Sequence, residues 1–589
     1  MALNVKLLDP ITYEVLQNGL DSIVDEMALT ITRTGYSTIV RDVLDFATAL
    51  CDREGQMIAQ GLTTVVHLGS FPDPVKCILA AYANSIYPGD VFILNDPYGS
   101  GGIHLPDIYV IKPIFVDNEL EAFSCVVAHH SDVGGRVPGS MSTEATELCQ
   151  EGLCLPTLKL YERGVPNEAI FAIIEKNVRV PVAVIGDLRA EIAAAQIGER
   201  HYQRLAAKYG ALTVRKYTAA FLDSSEALAR SEIASWPDGA YEFTDYLDGD
   251  AVADGEPLVL HVVVTIEGER VTVTFPKTSA QVKAGINSPL TYTKSAVYGA
   301  IRLALGADLP NAAGYFRVID VVAAEGTLVH PRPGAPCGAR GIVGFRVMDA
   351  VLGALAQVVP ERVPADGEGG CSTMSFGGFT ADYRPFVYVD SLAGSRGGRP
   401  SGDAPEAVPH PMANQANTPI EIIEASLPIR IEEYGFATDA CGAGKYRGAL
   451  AINRNIRNLA PDAVLQFRSD KRRFLPYPLA GGRPGTPSSY VLVQGDDRVL
   501  LPTMGARSIE QNAVLLHTTA GGGGWGDPLE RNAASVQADV WNEKLSVSHA
   551  EREYGVVIDP ITLQVDTVAT GRLRKRLWAA KSLSVQSRG

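Results

Sequence analysis

A chain of 589 residues with 46% hydrophobic and 20% charged side chains is long enough for three or four globular units, which excludes a small binding module and a disordered segment. Its formal net charge of −15 argues against sequence-independent binding to nucleic acid or to anionic lipid, and leaves small molecules and proteins as partners. Eight cysteines without a CxxC pair, a start without a signal-peptide pattern and no apolar run of membrane-spanning length lead us to expect a cytoplasmic protein with no membrane partner.

Asp9-Pro10 opens a run in which Ile11, Val15, Leu16, Leu20, Ile23, Val24, Met27 and Ile31 recur at three- and four-residue steps. This predicts a long amphipathic helix with Asp9 as N-cap, ending near Gly35. Phe46–Cys51 and Met57–Gln60 flank a polar turn and read as a β-hairpin, followed by strands at Val91–Leu94, Ile108–Ile111 and Phe123–Ala128. A second long helix is expected over Ile185–Tyr209, stopped by Gly210. From about residue 238 the texture turns to β, with a hairpin formed by Pro257–Ile266 and Val271–Phe275. Helices follow at Ser288–Leu305, with Ser288 as cap, and at Gly344–Gln357. Residues 391–417, rich in Gly, Pro, Ser and Asn, read as a long loop, flexible or functional. Short strands occupy 419–520, Gly521–Gly524 precede Trp525, and Ser548-His549-Ala550-Glu551 fits a capping box. The basic tail, Arg572 to Lys581, suits a solvated helix face or a subunit contact. The expected fold class is α+β, multi-domain, with mixed sheets, long N-terminal helices and a β-rich C-terminal part. The divisions fall at 1–237, 238–400, 401–535 and a helical tail at 536–589.

Three of the ten histidines fall within 104–130, each with an aspartate two or three positions on: His104 with Asp107, and His129-His130 with Asp132. Imidazole and carboxylate together suit a borderline divalent ion such as zinc, manganese or iron. Gly99, Gly101, Gly102 and Pro106 argue for a loop, from which His104 and Asp107 can converge. His129 and His130 end an apolar strand and must point to opposite faces, so only one of them can serve a single ion. Asp42 or Asp45 could complete the set, and each His-x-x-Asp pair could instead be a hydrogen-bonded imidazole bracing a glycine loop. The Gly521–Gly524 run lacks both the lysine of a phosphate loop and a dinucleotide-site setting, and reads as close backbone packing. Gly69-Ser70-Phe71 and Gly139-Ser140-Met141 lack the second glycine of a nucleophile elbow.

Taken in order, several segments resemble the hydantoinase B/oxoprolinase family: the B-type chains of ATP-dependent hydantoinases and lactamases, with the related chains of acetone and acetophenone carboxylases. The likeness rests on Asn95-Asp96-Pro97-Tyr98, Gly101–Asp107, Ala128–Gly135 leading to Pro138-Gly139-Ser140, and Gln150-Glu151-Gly152-Leu153. It continues through Gly186-Asp187-Leu188, Asn417–Glu421, Gly444–Gly448 and Gly521–Pro528. Two departures stand out: Ala47 where the family usually has serine, and Asp439-Ala440-Cys441-Gly442 in place of Asp-Ser-Gly-Gly.

The resemblance implies a divalent transition metal, zinc first with manganese or iron as alternatives, on Asp45, His104, Asp107 and His129. His130, Asp132 and Glu151 are then candidate general-base or supporting groups. It also implies ATP bound on a separate A-type subunit of actin-like ATPase fold, in an α2β2 or larger hetero-oligomer. There the partner would phosphorylate a cyclic amide (hydantoin, oxoproline or lactam), and this chain would hydrolyse the activated ring. A ketone carboxylase subunit and a non-catalytic scaffold are the rival expectations.

Overall fold

The computed structural model describes residues 8–586 apart from 62, 63, 68, 251–255, 307, 308, 370, 371 and 414, so Cys371 lies outside the described residues. Its first unit is built on β1 (Phe46–Asp52), β2 (Met57–Gln60), β3 (Val91–Leu94), β4 (Asp107–Val116), β5 (Glu119–His129), β6 (Leu158–Glu162) and β7 (Val165–Pro166). They form one seven-stranded sheet in the order β2-β1-β5-β4-β3-β6-β7, antiparallel at every pairing. The expected strands all lie within these elements. The β4–β5 pairing carries one register shift, between Ile114 and Phe115 near the hairpin tip.

One face of this sheet is covered by long helices. The first, Pro10–Thr34, starts where Asp9 accepts the Thr12 N–H at 2.9 Å and buries Leu16, Leu20, Ile23, Val24, Met27 and Ile31, as their spacing predicts. The second, Pro181–Tyr209, begins four residues before the expected start and ends at Gly210, whose φ of 86° no branched residue tolerates well. A third helix, Ala211–Ile233, follows at once. Gly210 reads as a stop in the sequence, and in the fold that stop is a corner between two helices. The Thr48 hydroxyl donates to the Val24 carbonyl at 2.9 Å, and Ser124 meets Met27. Even-numbered positions of β1 and of the end of β5 therefore face the helices, and odd-numbered positions such as Asp45 and His129 face the other way.

The second unit contains β8 (Gly239–Leu247), β9 (Leu258–Glu267), β10 (Arg270–Thr274) and β11 (Ile319–Val322), in the order β11-β10-β9-β8 with only the β10–β11 pair parallel. The helices Leu290–Leu305 and Gly341–Leu355 pack with this sheet, and every residue of the second is buried. The first of these is flanked by Pro289 at the cap position, not Ser288; the Ser288 hydroxyl is instead 2.9 Å from that of Thr293.

The remaining strands are β12 (Thr373–Phe379), β13 (Pro385–Ser391), β14 (Ile429–Phe436), β15 (Ile452–Asn458), β16 (Asp462–Arg468), β17 (Ser489–Gln494), β18 (Asp497–Leu500), β19 (Met504–Glu510) and β20 (Val514–Thr518). They make two sheets, β13-β12-β16-β19 and β14-β15-β20-β17-β18, which share one core containing Phe376, Tyr388, Ile456, Leu465, Phe467, Tyr490 and Leu515. Strands from both sides of residue 400 thus share a sheet. The 391–417 segment is irregular, as expected, but it is packed, with Leu392, Ser395, His410, Met412 and Ala413 buried. Near the C-terminus the helix Val547–Tyr554 is capped by Ser546 in place of Ser548, because Ser546 accepts the His549 N–H at 3.1 Å. The basic tail forms the helix Thr567–Gln586 and docks on its own chain, with Arg574 donating to the carbonyls of Tyr554 and Arg531. No helix among the described residues is long and apolar enough to cross a membrane.

The glycine run is a packing device. A Cβ at Gly522 would lie 1.9 Å from the Arg396 carbonyl, and one at Gly524 2.0 Å from that of Ala443, while the Gly522, Gly523 and Gly524 N–H groups are all bonded to other carbonyls. Backbone cannot yield as a side-chain end can. Gly524→Ala should therefore cost about 2 kcal/mol or more in a urea titration. Gly435→Ala, where an added Cβ meets nothing within 4 Å, is the control and should move stability by less than about 0.5 kcal/mol.

Candidate metal centre

The strand register assembles the site. Asp107 pairs directly with His129 across β4 and β5, and Phe46 with Ala128 across β1 and β5, so Asp45 lies opposite His129 and its carbonyl accepts the His129 N–H at 2.9 Å. Cross-strand partners share a face, so the three side chains emerge on the side away from the long helices. Leu44, immediately before Asp45, has φ 64°, a conformation costly for a branched side chain, which turns the chain sharply into the strand. Asp42, the other acid weighed from sequence, is held by Arg41 at 2.8 Å and takes no part. His104 comes from the loop before β4. That loop is pinned by Asn95, whose amide donates to the Leu105 and Leu153 carbonyls at 2.7 and 2.9 Å and whose oxygen accepts the Leu155 N–H at 2.6 Å.

His104, Asp107 and His129 are buried, and one donor atom from each lies within 4.8 Å of the others. His104 Nδ1 donates to the Gly338 carbonyl at 2.9 Å, which leaves the lone pair of Nε2 facing Asp107 Oδ2 at 3.0 Å. Burial, with the nearby Arg340 charge, pushes His104 down to about 4, so at neutral pH no proton fills that gap. Two lone pairs opposed at hydrogen-bond distance call for a cation between them. Burial likewise holds His129 well below the ordinary histidine range, and its Nδ1 has no partner; Asp107 Oδ1 has none either. Burial opposes ionisation of Asp107, but His104, Arg340 and His67 overcome it and hold the carboxyl well below its usual range. Neutral imidazoles beside an ionised carboxylate, with buried donor atoms left over, form a set that fits a divalent transition ion. Asp45 stands beside this trio: burial raises it to about 6 against the pull of His67 and a hydrogen bond from Gln415. It also lines, with His129, Arg340 and Arg468, a cavity of about 40 Å³.

Two residues at the site escaped the sequence reading. His67, in the turn Val65–His67, places Nε2 3.6 Å from Asp107 Oδ2, and neither of its buried ring nitrogens has a hydrogen-bond partner. Arg340, at the start of the Gly341–Leu355 helix, forms an ion pair with Asp107 Oδ2 and stacks over Tyr292. Neither has an acid or histidine at ligand spacing, so no local pattern could have marked it.

The three residues expected as general-base or supporting groups do not point into the cluster. His130 turns to the helix face and pairs with Glu191 at 2.8 Å, as the strand period requires. Burial acts to lower His130, but the hydrogen bond and charge of Glu191, together with the nearby Asp187 and Asp107 charges, outweigh it and raise the imidazole above its ordinary value. Both oxygens of Asp132 are consumed in organising the following loop: Oδ1 accepts from Gly134 and Arg179 N–H, and Oδ2 from Gly139 N–H and the Arg179 guanidinium. Glu151 accepts the Cys337 and Gly338 N–H groups at 2.9 and 2.7 Å, and burial pushes it up to about 8. It steadies the peptide whose carbonyl orients His104. Of the two roles expected for these residues, general base or supporting group, the contacts of all three are those of supporting groups: His130 and Asp132 are engaged with other side chains and loops, and Glu151 with the 337–338 backbone.

Comparison with known proteins gives a consistent assignment. The hydantoinase B/oxoprolinase family profile matches residues 9–528. A protein from Pseudomonas sp. (strain NS671), assigned as the B-type chain of a D-/L-hydantoinase, is 34% identical, over 97% of this chain and 99% of its own length. The crystal structure of ATP-dependent caprolactamase from Pseudomonas jessenii has a TM-score of 0.90 at 30% identity and covers 97% of this chain and 100% of that one. A nucleotide-free acetone carboxylase structure shares the fold alone, with TM-score 0.91 at 18% identity over 98% of this chain and 84% of the other. From the profile match over most of its length and these similarities, the chain belongs to the hydantoinase B/oxoprolinase family.

Proposed function

We propose that this chain is the hydrolytic subunit of an ATP-dependent cyclic amidase, acting on a hydantoin, oxoproline or lactam ring that an A-type partner subunit has activated by phosphorylation. The observation that carries the reading is the buried pair of lone pairs, His104 Nε2 against Asp107 Oδ2, with orphaned donors of His129 and His67 around it. In this reading His104, Asp107 and His129 hold a divalent transition ion, zinc first with manganese or iron as alternatives, and Asp45 completes the set with His67 adjacent. Such an ion, when bound, supplies Lewis acidity and lowers the pKa of water in its reach. Arg340 keeps Asp107 ionised and aimed, and Glu151 holds the Gly338 peptide that fixes the His104 tautomer. Arg340 and Arg468 put positive charge on the cavity wall, which suits a substrate carrying a phosphoryl group.

The partner is supported by the relative assigned as one chain of a multi-chain hydantoinase and by the ATP dependence in the caprolactamase's name. The glycine run that might have cradled phosphate is filled by its own backbone.

Elemental analysis of the purified chain and its variants tests the site directly. His104→Ala and His129→Ala should each lose metal, with affinity falling more than about 100-fold, and Glu151→Ala should weaken it by about 10–100-fold. Full occupancy in His104→Ala would sink the assignment. His130→Ala should keep the ion yet lose about 2–4 kcal/mol of stability, because it strands Glu191 without its partner. In the assembled complex, ring opening should need ATP and fail in His129→Ala; bicarbonate fixation into ketones in its place would overturn the hydrolase reading.

The raised carboxyl of Glu151 sets a pH dependence. Between its ordinary 4.5 and about 8 the native chain retains a proton that the unfolded chain has released, so its contribution to stability is full below 4.5 and fades as pH rises through 8. In metal-free protein, Glu151→Gln should flatten the decline of the unfolding midpoint over that window.

A further inference from the structure

A second cavity, of about 280 Å³, shares no lining residue with the metal centre. Its walls come from the end of the Gly341–Leu355 helix, the 361–367 segment, the 395–411 part of the long loop and Tyr477. Leu352, Pro364, Pro405 and Pro411 supply apolar surface. The charged groups on this wall are unevenly matched. Asp349 is held by His410 at 2.8 Å, Asp366 by Lys471, and Arg362 by Glu232 at 2.7 Å, with the exposed Glu361 carboxylate 3.9 Å from the same guanidinium. The His410 Nδ1 accepts the Met412 N–H while Nε2–H is given to Asp349.

Two guanidinium groups remain. Among the described residues the exposed Arg399 guanidinium reaches only the Asp403 backbone carbonyl, at 2.9 and 3.1 Å, and the half-buried side chain of Arg396 has neither a hydrogen-bond acceptor nor an ion pair. Burial and the neighbouring Arg399 charge depress the Arg396 pKa, and the Asp349 carboxylate on the same wall offsets them only in part. An arginine kept from water beside a like charge is costly unless an anion joins it. Its backbone is also tied down, since Gly522 packs against the Arg396 carbonyl and the Ala449 N–H is bonded to it at 2.9 Å.

We propose that this cavity is a binding site for a small organic anion, whose carboxylate or phosphoryl oxygens bridge Arg396 and Arg399 while its apolar body lies against the proline-lined wall. Planar guanidinium pairs suit both oxyanions, so the acid group is common to two chemical sources.

Isothermal titration of the full-length chain with hexanoate and, separately, phenyl phosphate distinguishes them. Saturable binding of at least one is expected, and which one binds names the source. Arg396→Gln should weaken it at least tenfold, Arg399→Gln several-fold, and Arg396→Lys should restore part of the loss. His104→Ala should leave it unchanged, which separates this site from the metal centre. Should Arg396→Gln not fold, slower hydrogen exchange of residues 395–411 on ligand addition to the unaltered chain reports the same binding. Absence of saturable binding by both anions, undiminished binding in Arg396→Gln, or loss of binding in His104→Ala would overturn the proposal. So would Arg396→Gln weakening assembly with the partner subunit while neither anion binds, which would make the cavity a socket for an acidic protein side chain.

Discussion

Asp107 is the carboxylate on which the arrangement turns. A buried charge without compensation costs several kcal/mol, and the cation that compensates this one is Arg340 from the second unit, while the neutral His104 in the loop just before it and His67 in the turn after β2 stand around the same oxygen. The Arg340 contact joins the seven-stranded sheet to the buried Gly341–Leu355 helix, and its stacking on Tyr292 draws in the neighbouring helix as well. The site therefore belongs to neither unit alone. The first unit supplies Asp45, Asp107 and His129, and the residue that keeps Asp107 ionised comes from the second.

Much of this was legible in the sequence, and the reason is periodicity. The first helix, the hairpin and the strand ends follow from apolar spacing, and the opposite facing of His129 and His130 follows from the two-residue period of a strand. That period alone left open which histidine serves the cluster; the register with Asp107 and the His130–Glu191 pair decide it. What the sequence could not reveal comes from long-range packing. His67 and Arg340 carry no spacing signature, because they reach Asp107 from about 40 residues before it and 233 after it. Asp132 is a candidate general-base or supporting group through the family resemblance, and its contacts with the Gly134 and Gly139 N–H groups become visible only once the following loop is folded.

The long 391–417 segment shows why apolar content is an incomplete guide to order. Its backbone is tied by hydrogen bonds: the Met412 carbonyl takes the Val66 N–H, the Ala416 N–H goes to Val43, and the Gln415 side chain reaches Asp45. A chain that buries few large side chains can still be fixed when its polar groups find partners. One end of this loop walls the anion cavity and the other braces the carboxylate beside the candidate metal centre.

The register shift between Ile114 and Phe115 carries a consequence for how this scaffold can vary. In an antiparallel pair, a change of one residue at the turn would normally propagate along both strands and exchange the faces of every side chain beyond it. Here the irregularity sits close to the hairpin tip, while Asp107 and His129 lie at the far end of an unbroken ladder. The tip is thus mechanically decoupled from the chemistry. Insertions and deletions around Asp117-Asn118 can be absorbed within a few residues, so the exposed turn is free to diversify, or to accept a grafted peptide, without disturbing the pairing that sets which of two adjacent histidines faces the site.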